Sequence, residues 1–400
     1  MRNMPDAQLR IIKTRRFLND KSDRIGYKNP MTPEQIAQQF DLHGRLASIR
    51  PTTSGNVNDT YIAVFRTHFS EERVIIQRVN HHVFVRPDWI MENMRILTQH
   101  CHEQLLRESE DADRIWQLPR IIPSKAGEDL FKDEDGNFWR AMTLIASAST
   151  FDIAQSEEHA YETGVVLGQF HRLISGIDPA RLHDTLPGYH ETPKYLEKYD
   201  QTIASAKARE LMRGSEQVRS LHKFIEARRD FIPVLQNALS AGEIKTRLIH
   251  GDPKVSNFMI DDDTGKGTAM IDLDTVKPGL IHYDFGDALR SLCNREGEET
   301  QDLSGVAFDL DFCDAFIRGY TAHAKGFLTA NDRKYLYDSI RLIALELGLR
   351  FFQDHLAGNV YFKIRLPEQN LHRANVQFRL CESIEIRKRQ IVKILDEAFA

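Results

Sequence analysis

The residues best suited to group-transfer chemistry are concentrated within residues 247–287. Asp252 follows a short apolar strand, Asn257 comes five positions later, and Asp272 ends a further apolar strand. In such a set one carboxylate can orient a hydroxyl group and accept its proton, while oxygen ligands hold Mg²⁺ across phosphate groups. The stretch therefore indicates phosphoryl transfer from ATP, with the three side chains gathered at one edge of a small hairpin.

Two further residues strengthen this interpretation. His250 precedes Asp252 by two positions, and Lys254 follows Asp252 by two. A lysine at that position can reach a transferring phosphoryl group and screen its developing negative charge. The spacing from Asp252 to Asn257 is that of a kinase catalytic loop. The spacing alone occurs often by chance, but the upstream His-Gly pair and the flanking strands make coincidence a poor explanation.

A second kinase-like motif lies further along the chain. The tripeptide Asp284-Phe285-Gly286 begins 27 residues after Asn257, whereas Asp272 follows its strand at a distance suited to a short hairpin. We therefore assign the metal-binding role to Asp272. Asp284 and Asp287 are expected to cap a helix or to brace the catalytic loop.

The elements that position these residues fall into two parts. Residues 44–146 are rich in strands, including a third strand at residues 73–79, and contain one long helix opened by Pro87. Beyond residue 146 the pattern is mainly helical. We predict an α+β, bilobal fold with an N-terminal extension over residues 1–43, a β-rich N-lobe over 44–146 and a larger C-lobe over 147–400.

Helical periodicity and capping residues give the individual helices. In the extension, Thr32 and Pro33 predict the start of a short helix. Pro233 is expected to kink or shorten the second helix of the C-lobe. The C-lobe helices are predicted at residues 157–173, 215–239, 310–324, 332–356 and 371–395.

Composition excludes several classes of protein. The 400 residues include 53 Lys plus Arg and 58 Asp plus Glu, a net charge of −5, and 41% are hydrophobic. These values exclude a wholly disordered chain, and the acidic balance argues against nucleic acid as a partner. Four widely spaced cysteines fit neither a zinc site nor a disulfide scaffold. Without a membrane-length apolar run or a signal-peptide core, we expect a cytoplasmic protein with no membrane partner.

Several segments of the sequence resemble motifs of a known superfamily. HGDPKVSN and MIDLDTVKPGLIHYDFGDALR are similar to segments of the aminoglycoside phosphotransferase and choline kinase superfamily, small-molecule kinases with a protein-kinase-like fold. Closer resemblance is to the N-acetylhexosamine 1-kinase group, through SGNVNDTYIAVF, VIIQRVN, WRAMTLIASASTFD, LHDTLPGYHETPKYL and LELGLRFFQDHLAGNVYFKIRLPEQNLHRANVQFRL. The resemblance covers about residues 44–390. It implies ATP and Mg²⁺ as cofactors, Asp252 as catalytic base, and Asn257 and Asp272 as magnesium ligands.

The resemblance also implies a nucleotide site in the N-lobe. The turn Ser54-Gly55-Asn56 would cover the phosphates, its small residues letting backbone N–H groups approach. The third strand should carry a phosphate-anchoring cation paired with a helix carboxylate, for which Glu92 is the candidate. At the usual lysine position this chain has Gln77, followed by Arg78. Because neighbours on a strand face opposite sides, only one of these two can point into the cleft.

An acceptor site for a sugar or an amino alcohol needs hydrogen-bonding side chains and a flat apolar surface. Two candidates for such a site, His190 and Thr192, could instead belong to a capped loop. A third candidate, Arg290, could simply form an ion pair with Asp287 or Asp284. Asp274 would share the side of Asp272 if the chain stays extended between them. The acceptor-site candidates are Asp274, His190, Thr192, Arg290, Arg350 and Tyr361.

Three hypotheses for the function follow. The first is a kinase that uses MgATP to phosphorylate the anomeric hydroxyl of an N-acetylhexosamine or related sugar. The second is a kinase of the same fold for an aminoglycoside, choline or another amino alcohol. The third is a catalytically silent nucleotide-binding scaffold. The presence of all four residues of the candidate site argues against it: Asp252, Lys254, Asn257 and Asp272. The sequence does not specify an oligomeric state.

Overall fold

The computed structural model describes residues 30–52, 57–107 and 114–400. A small lobe built on an antiparallel sheet is followed by a larger, mainly helical lobe. The predicted α+β class and the bilobal plan are therefore confirmed. Within these ranges no helix is long and apolar enough to span a lipid bilayer.

The sheet of the small lobe has the strand order β1-β2-β3-β6-β4, and β5 pairs with β6. All of its pairings are antiparallel. The strands are β1 (Arg45–Pro51), β2 (Asp59–Arg66), β3 (Glu71–Val79), β4 (Ile121–Ile122), β5 (Phe131–Lys132) and β6 (Phe138–Thr143). The helices are α1 (Pro33–Ala37), capped by Thr32 as predicted, and α2 (Pro87–Arg107).

Side chains alternate between the two faces of β3, as in any strand. Val74 and Ile76 are buried in a core that also contains residues of α1 and Phe40. Gln77 lies on the opposite face, toward the large lobe. Residues 33–40, which we predicted to lie in the N-terminal extension, therefore pack in the small lobe, because one apolar face of the sheet must be covered.

The large lobe contains the remaining helices and two small sheets. Its helices are α3 (Glu157–Ile174), α4 (Thr192–Ile203), α5 (Ala206–Gly214), α6 (Glu216–Glu226), α7 (Val234–Ser240), α8 (Ile281–Leu292), α9 (Leu310–Ala324), α10 (Ala330–Lys334), α11 (Leu336–Ala357), α12 (Gln369–Ile386) and α13 (Lys388–Phe399). Its strands are β7 (Ala148–Ser149), β8 (Arg247–Ile249), β9 (Phe258–Asp261), β10 (Gly267–Met270) and β11 (Lys277–Gly279), which pair as β10-β9-β7 and β11-β8.

Three of the predicted long helices are interrupted in the structure. Pro233 separates α6 from α7, as its missing N–H predicts. The helix predicted at residues 332–356 is divided into α10 and α11 around Tyr335, and that predicted at 371–395 is divided into α12 and α13 at Arg387. Hydrophobic periodicity continues across such breaks because the consecutive helices cover the same core.

Helices α8 and α11 approach each other closely beneath the candidate site. A Cβ atom at Gly286 would lie 2.5 Å from the carbonyl oxygen of Ser339, so only glycine permits this approach. Asp284 and Asp287 lie on α8, and Arg350 lies on α11. The close packing therefore brings residues from distant parts of the sequence to the same region.

Candidate active site

The loop after β8 brings three of the predicted residues together. Lys254 Nζ lies 2.6 Å from Asp252 Oδ2. The Asn257 amide donates to the Asp252 backbone carbonyl at 2.6 Å and contacts Oδ2 at 3.3 Å. Residues Val255–Asn257 form a 3₁₀ turn. This turn directs Asn257 back toward Asp252.

The electrostatics of the loop keep Asp252 ionised. Desolvation alone would raise the pKa of its carboxyl group, but the adjacent Lys254 ammonium outweighs this effect and holds the pKa below its usual value. In Lys254, burial opposes the charged form, yet the carboxylates of Asp252 and Asp272 raise its pKa. At neutral pH the site therefore contains a carboxylate able to accept a proton and a cation able to neutralise phosphate charge.

Asp284 holds the backbone of this loop in place. Its carboxylate is buried and accepts hydrogen bonds from the backbone N–H groups of His250 at 2.6 Å and Gly251 at 2.8 Å. His171 Nε2 lies 2.8 Å from the same carboxylate. Gly251 has a φ of +89°, and a Cβ there would lie 2.7 Å from the Thr275 carbonyl oxygen. Asp284 thus has the bracing position that its place in the sequence suggested.

Replacing Asp284 by Asn should destabilise the protein by about 1–3 kcal/mol, because an amide cannot accept both backbone N–H groups while facing His171. We expect turnover to fall with little change in the KM for ATP, since the Asp252 backbone would lose its support. Denaturant unfolding and steady-state kinetics would measure the two effects. Unfolding and turnover both equal to those of the parent would contradict the bracing role.

Asp272 is the carboxylate most suited to a metal ion. It has a left-handed backbone conformation, with φ 64° and ψ 56°. Within the described parts of the chain, the Asp272 side chain has no hydrogen-bond or ion-pair partner. Although its surface is exposed in the cleft, partial desolvation and the negative charge of Asp274 raise its pKa to about 6. A carboxylate that has neither a hydrogen-bond partner nor an ion-pair partner is suited to binding a cation.

Asn257 is the second residue predicted to bind magnesium. The backbone N–H of Ile271 donates to the Asn257 carbonyl at 3.0 Å, so Asn257 and Asp272 are held beside each other. Mg²⁺ is commonly bound by one or two protein oxygens together with phosphates and water. In the described ranges no three His, Cys, Asp or Glu side chains form a metal-binding group. The predicted pair, Asn257 and Asp272, offers oxygen donors of the kind that Mg²⁺ takes.

The nucleotide side of the cleft differs from the expected pattern. Ser54, Gly55 and Asn56 lie outside the described residues. Gln77 donates to Thr60 Oγ1 at 2.8 Å and accepts a hydrogen bond from another residue of the sheet. Arg78 is exposed on the opposite face. The Nε atom of Arg78 donates to Asp59 on β2 at 2.8 Å, so Arg78 does not point into the cleft.

The cation beside Gln77 is Arg140, on the neighbouring strand β6. Arg140 Nε donates to Gln77 Oε1 at 2.9 Å. Its Nη2 lies 2.6 Å from Asp274 Oδ1, and both side chains are only 2% exposed. Asp274 also accepts a hydrogen bond from Asn58 at 2.7 Å. Sequence reasoning did not find Arg140, although an arginine inside the apolar strand FWRAMT was a visible signal.

Glu92 lies away from the strand cations. Its side chain is 58% exposed and lies 2.8 Å from His183 Nε2. The following residue, Asn93, is the buried one, and its amide donates to the backbone carbonyls of His183 and Val276. The structure thus does not bring Glu92 together with Gln77 or Arg78.

His190 and Thr192 are buried behind the catalytic loop. Thr192 Oγ1 donates to Glu346 at 2.6 Å, and His190 lies 2.9 Å from Glu346 and 2.8 Å from the Gly251 carbonyl oxygen. Burial disfavours a charged imidazole, but the Glu346 carboxylate outweighs it and raises the pKa of His190. These contacts give both residues a positioning role for the loop.

The remaining acceptor candidates are Arg350, Tyr361 and Arg290. Arg350 has its guanidinium 5.1 Å from the centre of the Tyr189 ring, 5.0 Å from Tyr195 and 5.6 Å from Phe362. Burial and the negative charge of Asp252 raise the pKa of Tyr189. The group formed by Arg350, Tyr189, Tyr195 and Phe362 is called the Arg350 box below.

Tyr361 and Arg290 differ from Arg350 in their environments. Tyr361 is half exposed beside Phe362, with their ring centres 4.9 Å apart. Arg290 is buried, lying 2.7 Å from Asp287 and 3.3 Å from Glu298. Arg290 therefore has the ion pair with Asp287 that the sequence allowed as its simpler role.

Comparison with known proteins identifies the family. A family model described as the phosphotransferase enzyme family matches residues 48–324. The chain belongs to this family. The match includes every residue of the catalytic loop and Asp272, so the loop of this phosphotransferase is part of the family's shared region.

Solved structures show the same fold. A microcompartment-associated aminopropanol kinase is similar with a TM-score of 0.55 and 17% identity, over 90% of this chain and 97% of that one. A choline kinase from Cryptosporidium parvum Iowa II gives 0.55 and 14%, over 88% and 93% of the two chains. An aminoglycoside phosphotransferase from Alicyclobacillus acidocaldarius gives 0.54 and 16%, over 93% and 98%. This phosphotransferase therefore has the bilobal kinase-like fold.

Proposed function

We propose that this phosphotransferase transfers a phosphoryl group from ATP, with Mg²⁺, to the anomeric hydroxyl of an N-acetylhexosamine or a related sugar. The observation that carries the proposal is the arrangement around Asp252. An ionised carboxylate, a lysine ammonium 2.6 Å away and a carboxamide are held on one braced loop, beside a carboxylate suited to magnesium.

The residues of the loop have distinct roles in this reaction. Asp252 accepts the proton of the acceptor hydroxyl while the hydroxyl oxygen bonds to the γ-phosphorus of ATP. The bond between this phosphorus and the bridging oxygen breaks, and ADP leaves with that oxygen. Lys254 neutralises negative charge on the transferring group. Asn257 and Asp272 would hold Mg²⁺, which supplies further charge neutralisation across the phosphates. Because an anomeric hydroxyl is more acidic than an ordinary alcohol, positioning matters more than the strength of the base.

The Arg350 box supports a neutral acceptor. Choline and related cations bind inside aromatic groups, but here the guanidinium of Arg350 already lies against Tyr189 and Tyr195. Its positive charge would repel a second cation. A sugar instead offers hydroxyl and N-acetyl oxygens that accept hydrogen bonds from a guanidinium, and its ring can lie on an aromatic face.

A screen for acceptor-dependent ATP consumption tests the proposal. We expect turnover with N-acetylhexosamines or related free sugars and none above background with choline, amino alcohols or aminoglycosides. Phosphorus NMR should place the phosphate of the product on the anomeric carbon. The Asp252→Asn variant, assayed in parallel, controls for contaminating kinases.

Other outcomes of the screen have direct meanings. Preference for choline, an amino alcohol or an aminoglycoside would overturn the sugar assignment while leaving phosphoryl transfer intact. Nucleotide binding without turnover on any acceptor would favour the silent-scaffold hypothesis.

A further inference from the structure

Strand β3 does not offer a cation to the cleft. It carries two arginines, Arg73 and Arg78, and both are exposed and paired with carboxylates of the small lobe. The position expected to carry lysine is Gln77, whose amide is neutral. Nucleotide phosphates carry several negative charges, so the cleft needs positive charge from another element.

Strand β6 places an arginine at the same point of the sheet. Gln77 and Arg140 are directly opposite each other in the antiparallel register. Opposite residues of antiparallel strands project from the same face. The hydrogen bond from Arg140 Nε to Gln77 Oε1 agrees with this placement. The Arg140 guanidinium therefore emerges on the face where the β3 lysine was expected.

The guanidinium lies close to the candidate magnesium site. Its partner Asp274 is two residues after Asp272, the candidate magnesium ligand. Asp274 is also bonded to Asn58, two residues after the turn predicted to cover the phosphates. The positive charge of Arg140 acts on Asp272 as well. A nucleotide bound through a metal ion at Asp272 would thus have its phosphates beside Arg140.

The hydrogen bonds of Arg140 use three of its five N–H donors. Its Nη2 is close to Asp274 Oδ1, but the geometry is not that of a hydrogen bond, and Oδ1 has no other partner. Among the described residues, the hydrogen-bond acceptors of the guanidinium are Gln77 Oε1 and the Met91 sulfur at 4.0 Å. A buried guanidinium has five N–H donors, and phosphate oxygens match their planar arrangement.

We propose that Arg140 is the residue that binds the phosphates of the nucleotide, in place of a lysine on β3, and that Asp274 holds this arginine when no nucleotide is bound. The inference rests on the proposed use of ATP and extends it to a residue on a different strand. Phosphate oxygens would replace Asp274 as the charged partner, forming charge-assisted hydrogen bonds with the guanidinium.

Calorimetric titration with Mg·ADP and with adenosine, in the absence of an acceptor, tests this assignment. The single variant Arg140→Gln would leave Asp274 buried without its cation and could fail to fold. The informative pair is therefore Asp274→Asn, which keeps the cation, and the double variant Arg140→Gln/Asp274→Asn, which removes both charges. Arg95→Gln, which breaks an exposed pair with Asp129 in the same lobe, is the matched control.

We expect the double variant to bind Mg·ADP about 100-fold more weakly than Asp274→Asn, with the same affinity for adenosine. Asp274→Asn and Arg95→Gln should bind Mg·ADP as tightly as the parent or more tightly. Equal affinities of the double variant and Asp274→Asn would overturn the role of Arg140 alone. A folded parent that binds no Mg·ADP would overturn the proposed use of ATP, and this inference with it.

Discussion

Asp252→Asn is expected to lower turnover by about 10²–10⁴-fold, the range associated with a positioned general base. The substitution keeps the size of the side chain, but it replaces a carboxylate oxygen by an NH₂ group and so removes the carboxylate that accepts the proton of the hydroxyl. It also removes the carboxylate that pairs with Lys254 at 2.6 Å. Steady-state kinetics at saturating ATP and acceptor would measure the loss.

Two further measurements separate chemistry from folding in this variant. Affinity for Mg·ADP should change little, because Asn257 and Asp272 remain. Thermal unfolding should show a folded protein, since the loop backbone is held by Asp284 rather than by Asp252. Parental turnover in Asp252→Asn would exclude Asp252 as the base.

Asp272→Asn is expected to have two opposite effects. Turnover should fall by about 10²–10³-fold, because a neutral amide holds Mg²⁺ less well and stabilises less charge in the transition state. Without metal or nucleotide, however, the variant should have a higher Tm than the parent at neutral pH. The parent must keep the Asp272 carboxylate ionised in the partly desolvated cleft near Asp274.

The pH dependence gives the sign of the second effect. A carboxyl group whose pKa is about 6 in the folded protein binds its proton more tightly there than in the unfolded chain. The parent should therefore lose stability as the pH rises from about 4 to about 6. Asp272→Asn should not share that part of the loss.

Thermal unfolding across this pH range, with and without Mg·ADP, would measure these differences. Mg·ADP should raise the Tm of the parent more than that of Asp272→Asn, because the parent binds the ligand more tightly. If Mg·ADP raised the Tm of the two proteins equally at pH 7, the assignment of Asp272 as a magnesium ligand would be contradicted.

The lobes and the catalytic loop could be predicted from the sequence because they depend on local patterns. β8, the loop with Asp252 and Asn257, and the β9–β10 hairpin follow one another within about 25 residues. Their spacing leaves few possible arrangements. Asp272 could be preferred over Asp284 for the same reason, since hairpin length is a local property.

Arg140 could not be predicted because its position depends on strand register. It lies opposite Gln77, 63 residues earlier in the chain, and the pairing of β3 with β6 is set by the whole sheet. Asp274 shows a related limit. Its expected place beside Asp272 required an extended chain, but residues Leu273–Thr275 form a 3₁₀ turn after the left-handed Asp272, so Asp274 contacts Arg140 and Asn58.

The burial of each side chain distinguishes the acceptor candidates that could contact a ligand from those that could not. Burial cannot be read from composition or spacing. His190 and Thr192 resemble ligand-binding residues in the sequence, but both are directed at Glu346 inside the large lobe. Arg350, four residues after Glu346 on α11, remains available beside aromatic rings. Glu346 and Arg350 lie one turn apart on the same face of α11, so the neighbours of each side chain decide its role.

This arrangement of α11 bears on how acceptor preference could be altered by protein engineering. Glu346 is joined through His190 to the carbonyl of Gly251, next to the base, while Arg350 is one helical turn away. A substitution that shifts this helix to admit a bulkier compound would also displace Asp252. Libraries that vary Tyr195 and Phe362, while leaving the Glu346 linkage untouched, should therefore yield more active variants than libraries that vary the buried side of α11.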